Sequence, residues 1–172
     1  MLSNKKVIIS IIITSVLGLL IFLVSKTVIK LKHKERIVAQ IKTLPHLSVK
    51  AIGSKKVEEW SKLGKVTIII FFNSGCEHCQ YEAKSIKQEI LAFAGTNILF
   101  ISDETVEKIL AFSKANKLHN NNRVWWLKMN SNDVYNTFGA IGVPHIWIYD
   151  EDGKLVKEFK GETRVEAILE WL

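Results

Sequence analysis

Residues 66–82 read VTIIIFFNSGCEHCQYE, and this stretch decides the fold. Its first seven residues are apolar or β-branched without interruption, a pattern typical of a strand buried on both faces, as in a parallel sheet. A small, polar break at 73–75 follows. Apolar residues then recur at helical spacing: Tyr81, Ile86, Ile90 and Phe93. The sequence therefore predicts a buried strand, a short loop and a helix.

Cys76 and Cys79 lie at the predicted junction between this strand and this helix. Unpaired backbone N–H groups and the positive end of the helix dipole stabilise a thiolate there, so Cys76 is the predicted attacking thiol. Cys79 lies one turn further along the same face, where it can displace a mixed disulfide formed at Cys76. The pair predicts a reversible two-electron switch.

Two structural uses of the cysteine pair compete with redox chemistry. A structural zinc site usually takes four Cys or His ligands, and the chain contains no third cysteine. A structural disulfide would close a very short loop and remove little chain entropy. Redox chemistry is therefore favoured over both.

The motif FFNSGCEHCQYE at 71–82, with Gly142-Val143-Pro144 far downstream, resembles the thioredoxin superfamily. The spacing C-x-x-C-x-x-E, which ends at Glu82, resembles its membrane-anchored, extracytoplasmic TlpA/ResA-like thiol-disulfide oxidoreductases. The resemblance covers roughly residues 65–172. Two features depart from the pattern: residues 72–75 replace the usual W-x-x-W lead-in, and the dipeptide between the cysteines is Glu-His.

The resemblance implies a thioredoxin-like α/β fold, in which helices flank a central mixed sheet, with an N-terminal transmembrane helix. It implies that the Val143-Pro144 peptide bond is cis and faces the cysteine pair, where Val143 would offer its backbone to a substrate strand. It also implies protein disulfide substrates such as the C-x-x-C-H segments of apocytochromes c, and re-reduction by an integral-membrane electron carrier. No cofactor is expected.

Three polar side chains near the cysteines are candidates for controlling their chemistry. Glu82, one turn beyond Cys79, is predicted to exchange a proton with it; the alternative is an exposed surface carboxylate. Glu77 and Glu82, if ionised, oppose a thiolate, whereas His78 favours it. Two carboxylates against one imidazole predict a dithiol that keeps its protons and therefore acts as a reductant.

The start of the chain predicts a membrane anchor. Residues 7–25 carry no charge, and as a helix they would span about 28 Å, close to the hydrocarbon thickness of a bilayer. No small-x-small cleavage pattern follows, so a retained anchor is favoured over a cleaved signal peptide. The predicted organisation is an N-terminal cytoplasmic stub and anchor at 1–25, a basic juxtamembrane stalk at 26–45, and a thioredoxin-like domain at 46–172.

The net charge of +7 is unevenly distributed. Residues 26–65 contain eleven basic and three acidic residues, whereas residues 66–172 contain eleven basic and fourteen acidic ones. The stalk can therefore contact anionic lipid headgroups, or it is merely solvated. Nucleic-acid binding is disfavoured because the folded part has no net positive charge.

The basic residues also bear on membrane orientation. A positive-inside count places the C-terminal domain in the cytosol. The basic start of a signal anchor and the family resemblance favour the opposite side, and we predict a single-pass protein of a bacterial-type inner membrane with an extracytoplasmic redox domain. The sequence leaves the oligomeric state open.

Further elements are predicted before and after the cysteine motif. They are a stalk that ends at Pro45, an edge strand in 46–52, helical turns at 57–63 with Trp60 inward, a buried strand at 97–101, a helix beginning at 102–104, a Ser131-capped helix over 133–138, a hairpin turn at 150–153, and a Thr163-x-x-Glu166 capping box. Trp125 and Trp126 are predicted to pack in the core or at its rim, and a contact with substrate is the alternative. Glu104 is a weaker candidate for proton transfer. His145 is interpreted as structural if its side chain points into the core, and a catalytic role is the alternative.

Two other functions remain alternatives. A copper-handling module would use Cys76, Cys79 and a histidine such as His78 or His145, since soft thiolates suit Cu(I). A thiol peroxidase would also use a cysteine at a helix start, but it needs a peroxide pocket that the sequence does not identify.

Overall fold

The computed structural model describes residues 2–53, 64–139 and 141–172, with side chains from residue 6 onward. The chain divides into two compact units, Met1–Ala39 and Gln40–Leu172. The predicted helical turns at 57–63, with Trp60, lie outside the described residues.

The N-terminal unit is a single long helix, α1 (Leu2–Gln40). Its segment Lys6–Gln40 is long and apolar enough to cross a membrane, and its most apolar window has no buried residue. The predicted transmembrane helix is thus present as a helix of suitable length. It continues without a break past residue 25 and ends at Gln40, earlier than the predicted end at Pro45.

The second unit is built on a six-stranded mixed sheet in the order β1-β4-β3-β2-β5-β6. The central strands β2, β3 and β4 are parallel, while β1, β5 and β6 each run antiparallel to their neighbours. The strands are β1 (Val49–Ile52), β2 (Thr67–Phe71), β3 (Asn97–Ser102), β4 (Val124–Met129), β5 (His145–Tyr149) and β6 (Leu155–Lys160). The described helices of this unit are α2 (Glu77–Gln88), α3 (Val106–Ala115), α4 (Ser131–Phe138) and α5 (Val165–Leu169).

The main core lies between one face of the sheet and helices α2, α3 and α5. Every second strand residue points into it, and the helices contribute their apolar stripes: Ile68, Ile70, Ile98, Phe100, Ile146, Ile148, Ala83, Ile86, Ile109, Phe112, Val165 and Ile168. Each fully buried Ile or Phe contributes roughly 1.5–3 kcal/mol. Trp126 stacks on Phe100 with ring centroids 4.5 Å apart, which confirms its predicted role in packing.

The opposite face of the sheet carries the other strand residues and α4. Phe138 of α4 stacks on Trp147 of β5, with ring centroids 4.3 Å apart. All five residues of β2 are buried, so the interpretation of residues 66–72 as a strand covered on both faces is confirmed.

Several predicted boundaries are also confirmed. The edge strand is β1, and the hairpin turn at 150–153 joins β5 to β6 with Gly153 at φ 75°. A left-handed conformation of this kind favours glycine. Residues 42–44 lie against the hairpin, where the Leu44 N–H donates to Gly153 O at 2.7 Å.

Helix ends and one helix face were predicted wrongly. Helix α2 ends at Gln88 rather than continuing through Phe93, although Phe93 itself is buried in the turn that follows. Tyr81 is 51% exposed, so it is not part of the apolar stripe. Asn130, not Ser131, caps α4, because its Oδ1 accepts the N–H of Asp133 at 2.9 Å.

The starts of α3 and α5 also differ from prediction. Thr105 caps α3, whereas the predicted start lay at 102–104. The capping box at Thr163 is wrong because α5 begins after Arg164. Both polar groups of Thr163 are committed elsewhere: its hydroxyl donates to Gly161 O at 3.2 Å, and its N–H donates to Glu82 Oε2 at 2.9 Å.

Candidate active site

The loop between β2 and α2 delivers Cys76 to the start of the helix. Asn73 shapes this loop, because its side-chain oxygen accepts the Gly75 N–H at 2.9 Å and its carbonyl accepts the Cys76 N–H at 3.1 Å. Cys76 occupies the N-cap position of α2 with extended backbone, and its side chain makes no capping hydrogen bond. The Cys76 residue therefore lies at the positive end of the helix dipole.

The two sulfurs differ in accessibility. Both cysteines are free thiols; Cys76 is half-buried, whereas Cys79 is only 1% exposed. The Sγ of Cys76 lies 3.8 Å from Val143 O, and the Val143-Pro144 peptide bond is cis. The predicted association of the cysteine pair with this peptide bond is therefore present in the geometry.

Cys79 is held as a protonated thiol. Its pKa is raised to about 12, chiefly by burial and also by the neighbouring Cys76 and the Glu82 carboxylate, while a backbone hydrogen bond from Asn73 acts in the opposite direction. At neutral pH this sulfur needs a base before it can act as a nucleophile.

Glu82 is fully buried one turn beyond Cys79. Its Oε2 accepts the Thr163 N–H at 2.9 Å, and its Oε1 has no hydrogen-bond partner among the described residues. Burial raises the pKa of Glu82 to about 7, although the hydrogen bond from Thr163 lowers it; the Glu162 charge adds to the increase. The alternative reading of Glu82 as an exposed surface carboxylate is wrong.

Glu104 anchors the same loop from the end of β3. Its Oε2 accepts the Ser74 N–H at 2.6 Å and its Oε1 accepts the Ser74 hydroxyl at 2.9 Å. Burial opposes ionisation of Glu104, but the bonds from Ser74 and the nearby Lys108 leave its pKa lowered. An ionised carboxylate tied to Ser74 supports the position of the loop, a role that the sequence did not predict.

The dipeptide between the cysteines is exposed. Glu77 is exposed in the first turn of α2. His78 is also exposed, and its Nδ1 lies 2.6 Å from Glu162 Oε2. No local sequence pattern indicates this contact, because the two residues are 84 positions apart.

His145 faces away from the main core. Its Nε2 lies 2.7 Å from Glu158 Oε1, and its ring stacks on Trp147 at 4.1 Å. Burial lowers the pKa of His145, against the effect of Glu158. These contacts fit the structural interpretation, and no cluster of three or more His, Cys, Asp or Glu side chains with metal-binding geometry lies among the described residues.

A dithiol at a helix start, beside a cis-proline loop on a mixed sheet, is the arrangement of a thioredoxin-like thiol-disulfide oxidoreductase. Residues 41–159 match the model of the AhpC/TSA family, and the chain belongs to that family.

Individual proteins of this class are similar to the chain in sequence or in fold. The thiol-disulfide oxidoreductase ResA of Bacillus thuringiensis subsp. konkukian is 24% identical over 136 residues, which are 76% of this chain and 75% of that protein. Two solved structures share the fold. One is a putative protein disulfide isomerase from Bacteroides thetaiotaomicron, with a TM-score of 0.62, 22% identity, and coverage of 76% of this chain and 85% of that one. The other is StoA from Bacillus subtilis, with a TM-score of 0.56, 20% identity, and coverage of 73% and 97%.

Proposed function

We propose that this protein is a membrane-tethered reductase of disulfides in exported proteins, in which Cys76 attacks and Cys79 resolves. The observation that carries the proposal is the unequal placement of the sulfurs. Cys76 is reachable at the helix start beside Val143 O, and Cys79 is buried behind it. A partner polypeptide therefore meets Cys76 first.

The proposed reaction conserves atoms and electrons. The Cys76 thiolate attacks one sulfur of the substrate disulfide, forming a mixed disulfide and releasing the first substrate thiolate. Cys79 then loses its proton and attacks the Cys76 sulfur, which breaks the mixed disulfide and releases the second substrate thiolate. The protein ends with a Cys76–Cys79 disulfide, and the substrate gains two electrons and two protons.

Val143 and Pro144 are the proposed substrate-binding residues. Val143 O lies 3.8 Å from the Cys76 sulfur, so a substrate strand paired with this backbone would bring its disulfide to the thiolate. Pro144 has no N–H, and an incoming strand would therefore bind through Val143.

Glu82 is the proposed base for Cys79. Its pKa of about 7 lets it accept a proton at neutral pH and release it again. Its Oε1 has no other partner among the described residues, and it lies one turn from a thiol that is otherwise protonated. The proton taken from Cys79 would pass on to the departing substrate thiolate.

A reductive direction is supported by the charges near the pair. The burial of Cys79 and the carboxylates of Glu77 and Glu82 oppose formation of thiolates. His78 favours a thiolate, but its imidazole is already paired with Glu162. A dithiol that keeps its protons gives up electrons more readily.

Tethering is supported by α1, whose apolar segment is long enough to span a bilayer. The proposed organisation is a stub and anchor at 1–25, a basic stalk at 26–45 that contacts anionic lipids, and a redox domain at 46–172 on the extracytoplasmic side. An integral-membrane electron carrier would return the disulfide to the dithiol state.

The test is single-turnover reduction of a disulfide-bonded peptide by the reduced full-length protein in detergent micelles. We expect one peptide disulfide reduced per wild-type molecule and none by Cys76→Ser. If Cys76→Ser reduces the peptide as fast as wild type, the proposal is wrong. Hydrogen peroxide, tested in parallel without peptide, should be consumed no faster than by the Cys76→Ser protein; faster consumption would favour the peroxidase alternative.

A further inference from the structure

Three consecutive residues between β6 and α5, which we call the 161–163 bend, contact three separate parts of the site. Gly161 donates its N–H to Pro144 O at 2.9 Å. The Glu162 carboxylate lies 2.6 Å from His78 Nδ1, and Thr163 donates its N–H to Glu82 Oε2 at 2.9 Å. The bend therefore joins the cis-proline loop, the dipeptide between the cysteines and the buried carboxyl.

The bend has a defined conformation. Gly161 adopts φ 91°, a region that favours glycine, and the Thr163 hydroxyl closes the turn on Gly161 O. Thr163 is buried, whereas Glu162 is exposed and reaches back over the first turn of α2. The Glu162 side chain contacts the segment between the two cysteines through His78.

We propose that Glu162 is a positioning residue for this site, because its contact with His78 holds the 161–163 bend against α2. Thr163 thereby keeps its N–H on one oxygen of Glu82, and the other oxygen exchanges a proton with Cys79. The inference rests on the role proposed for Glu82 and explains how that carboxyl is oriented. A buried carboxyl with a single fixed donor presents a defined free oxygen, whereas one without a donor can rotate away from the thiol.

The charge of Glu162 and the Thr163 donor that Glu162 positions have opposite effects on the pKa of Glu82, which makes the inference testable. The groups that act on Glu82 are Cys79 on its own helix and Glu162 and Thr163 on the bend. His78 is paired with Glu162. The negative charge of Glu162 raises the pKa of Glu82, whereas the Thr163 N–H lowers it. Removing the charge alone and removing the contact should therefore shift the pKa of Glu82 differently.

The experiment compares Glu162→Gln, Glu162→Ala and the control Glu166→Ala, an exposed carboxylate on α5, in the full-length protein in detergent micelles. Gln keeps an acceptor for His78 without the charge, and Ala removes both. We expect amide exchange of Thr163 to accelerate about tenfold in Glu162→Ala, equivalent to about 1.4 kcal/mol, which is within the net contribution of a typical intramolecular hydrogen bond. Glu162→Gln and Glu166→Ala should stay close to the wild-type rate, and the Ile70 amide in β2 reports any global opening.

The second measurement is the titration of the Glu82 carboxyl carbon by NMR. Glu162→Gln should lower the pKa of Glu82, and Glu162→Ala should place it above the Glu162→Gln value because the Thr163 donor is lost. Both results are required. Equal downward shifts in the two variants, or an unchanged Thr163 exchange rate in Glu162→Ala, would show that Glu162 acts through charge alone and would overturn the inference.

Failure of this inference differs from failure of the proposed function. Thr163 amide exchange involves no thiol chemistry, so it reports the bend whether or not Glu82 serves Cys79. The role of Glu82 itself is decided by the pH profile of thiol alkylation in Glu82→Gln, which should lose its inflection near pH 7. An unaltered profile removes Glu82 from the mechanism without affecting the exchange result.

Discussion

Glu82 combines two properties that an ordinary helix carboxylate does not have. It is fully buried, and one of its oxygens accepts a backbone N–H while the other has no partner among the described residues. Burial of a carboxyl usually destabilises a fold unless the group stays protonated. The raised pKa of Glu82 therefore affects the stability of the fold as well as the chemistry of the site.

At this residue we predict an unusual dependence of stability on pH. Burial raises the pKa of Glu82 from 4.5 to about 7, so between these pH values the folded protein holds a proton that the unfolded chain releases. The free energy of unfolding should thus fall by roughly 3 kcal/mol as pH rises from about 5 to about 8. Chemical denaturation of wild type and Glu82→Gln across this range measures the difference.

Glu82→Gln should remove this fall. The lowered pKa of His145 acts in the opposite direction, since its folded form binds fewer protons, but it contributes equally to both proteins and cancels in the comparison. Parallel curves for the two proteins would contradict the prediction.

At the scale of elements, the connection between β2 and α2 is held by a residue from the neighbouring strand end. Ser74 donates hydrogen bonds from both its N–H and its hydroxyl to the Glu104 carboxylate, and the Glu104 side chain is only 8% exposed. The loop that carries Cys76 is thereby tied to β3 rather than depending on its own short sequence.

We predict that Glu104→Gln destabilises the protein by about 1–3 kcal/mol, because the amide nitrogen of Gln cannot accept one of the two Ser74 bonds. Reduction of a disulfide peptide should also slow, since the loop that positions Cys76 loses an anchor. Glu107→Gln, an exposed carboxylate three residues later, serves as the control and should stay within about 0.5 kcal/mol. Similar losses in both variants would indicate a general charge effect instead.

The elements themselves were largely predictable, and their ends were not. Uninterrupted apolar residues identify β2 and β3 because both faces of these strands are covered. Thr163 has the pattern of a helix cap, but Glu82 binds its N–H from a position 81 residues away. Such long-range partners explain why the observed contacts of Glu104, Glu162 and Thr163 were not predicted, whereas Cys76 and Cys79 were found from their local motif.

At the scale of the whole molecule, a redox domain follows a helix long enough to cross a bilayer. The positive-inside count and the family resemblance give opposite orientations for that domain. The side of the membrane decides whether the dithiol meets exported proteins or cytosolic ones.

We predict that alkaline phosphatase fused after Leu172 is active in bacterial cells, because this reporter folds only where disulfides form outside the cytosol. A fusion of a cytosol-active reporter at the same position is the matched control and should be inactive. The reverse pattern would assign the domain to the cytosol.

The burial of Cys79 has a kinetic consequence. Because the inner sulfur is out of reach of a second protein, the electron donor that restores the dithiol must also attack through Cys76. The electron donor and the disulfide substrate then react in turn with the Cys76 sulfur and are never bound to the protein at the same time. Initial rates measured against both should follow ping-pong kinetics, with parallel double-reciprocal lines.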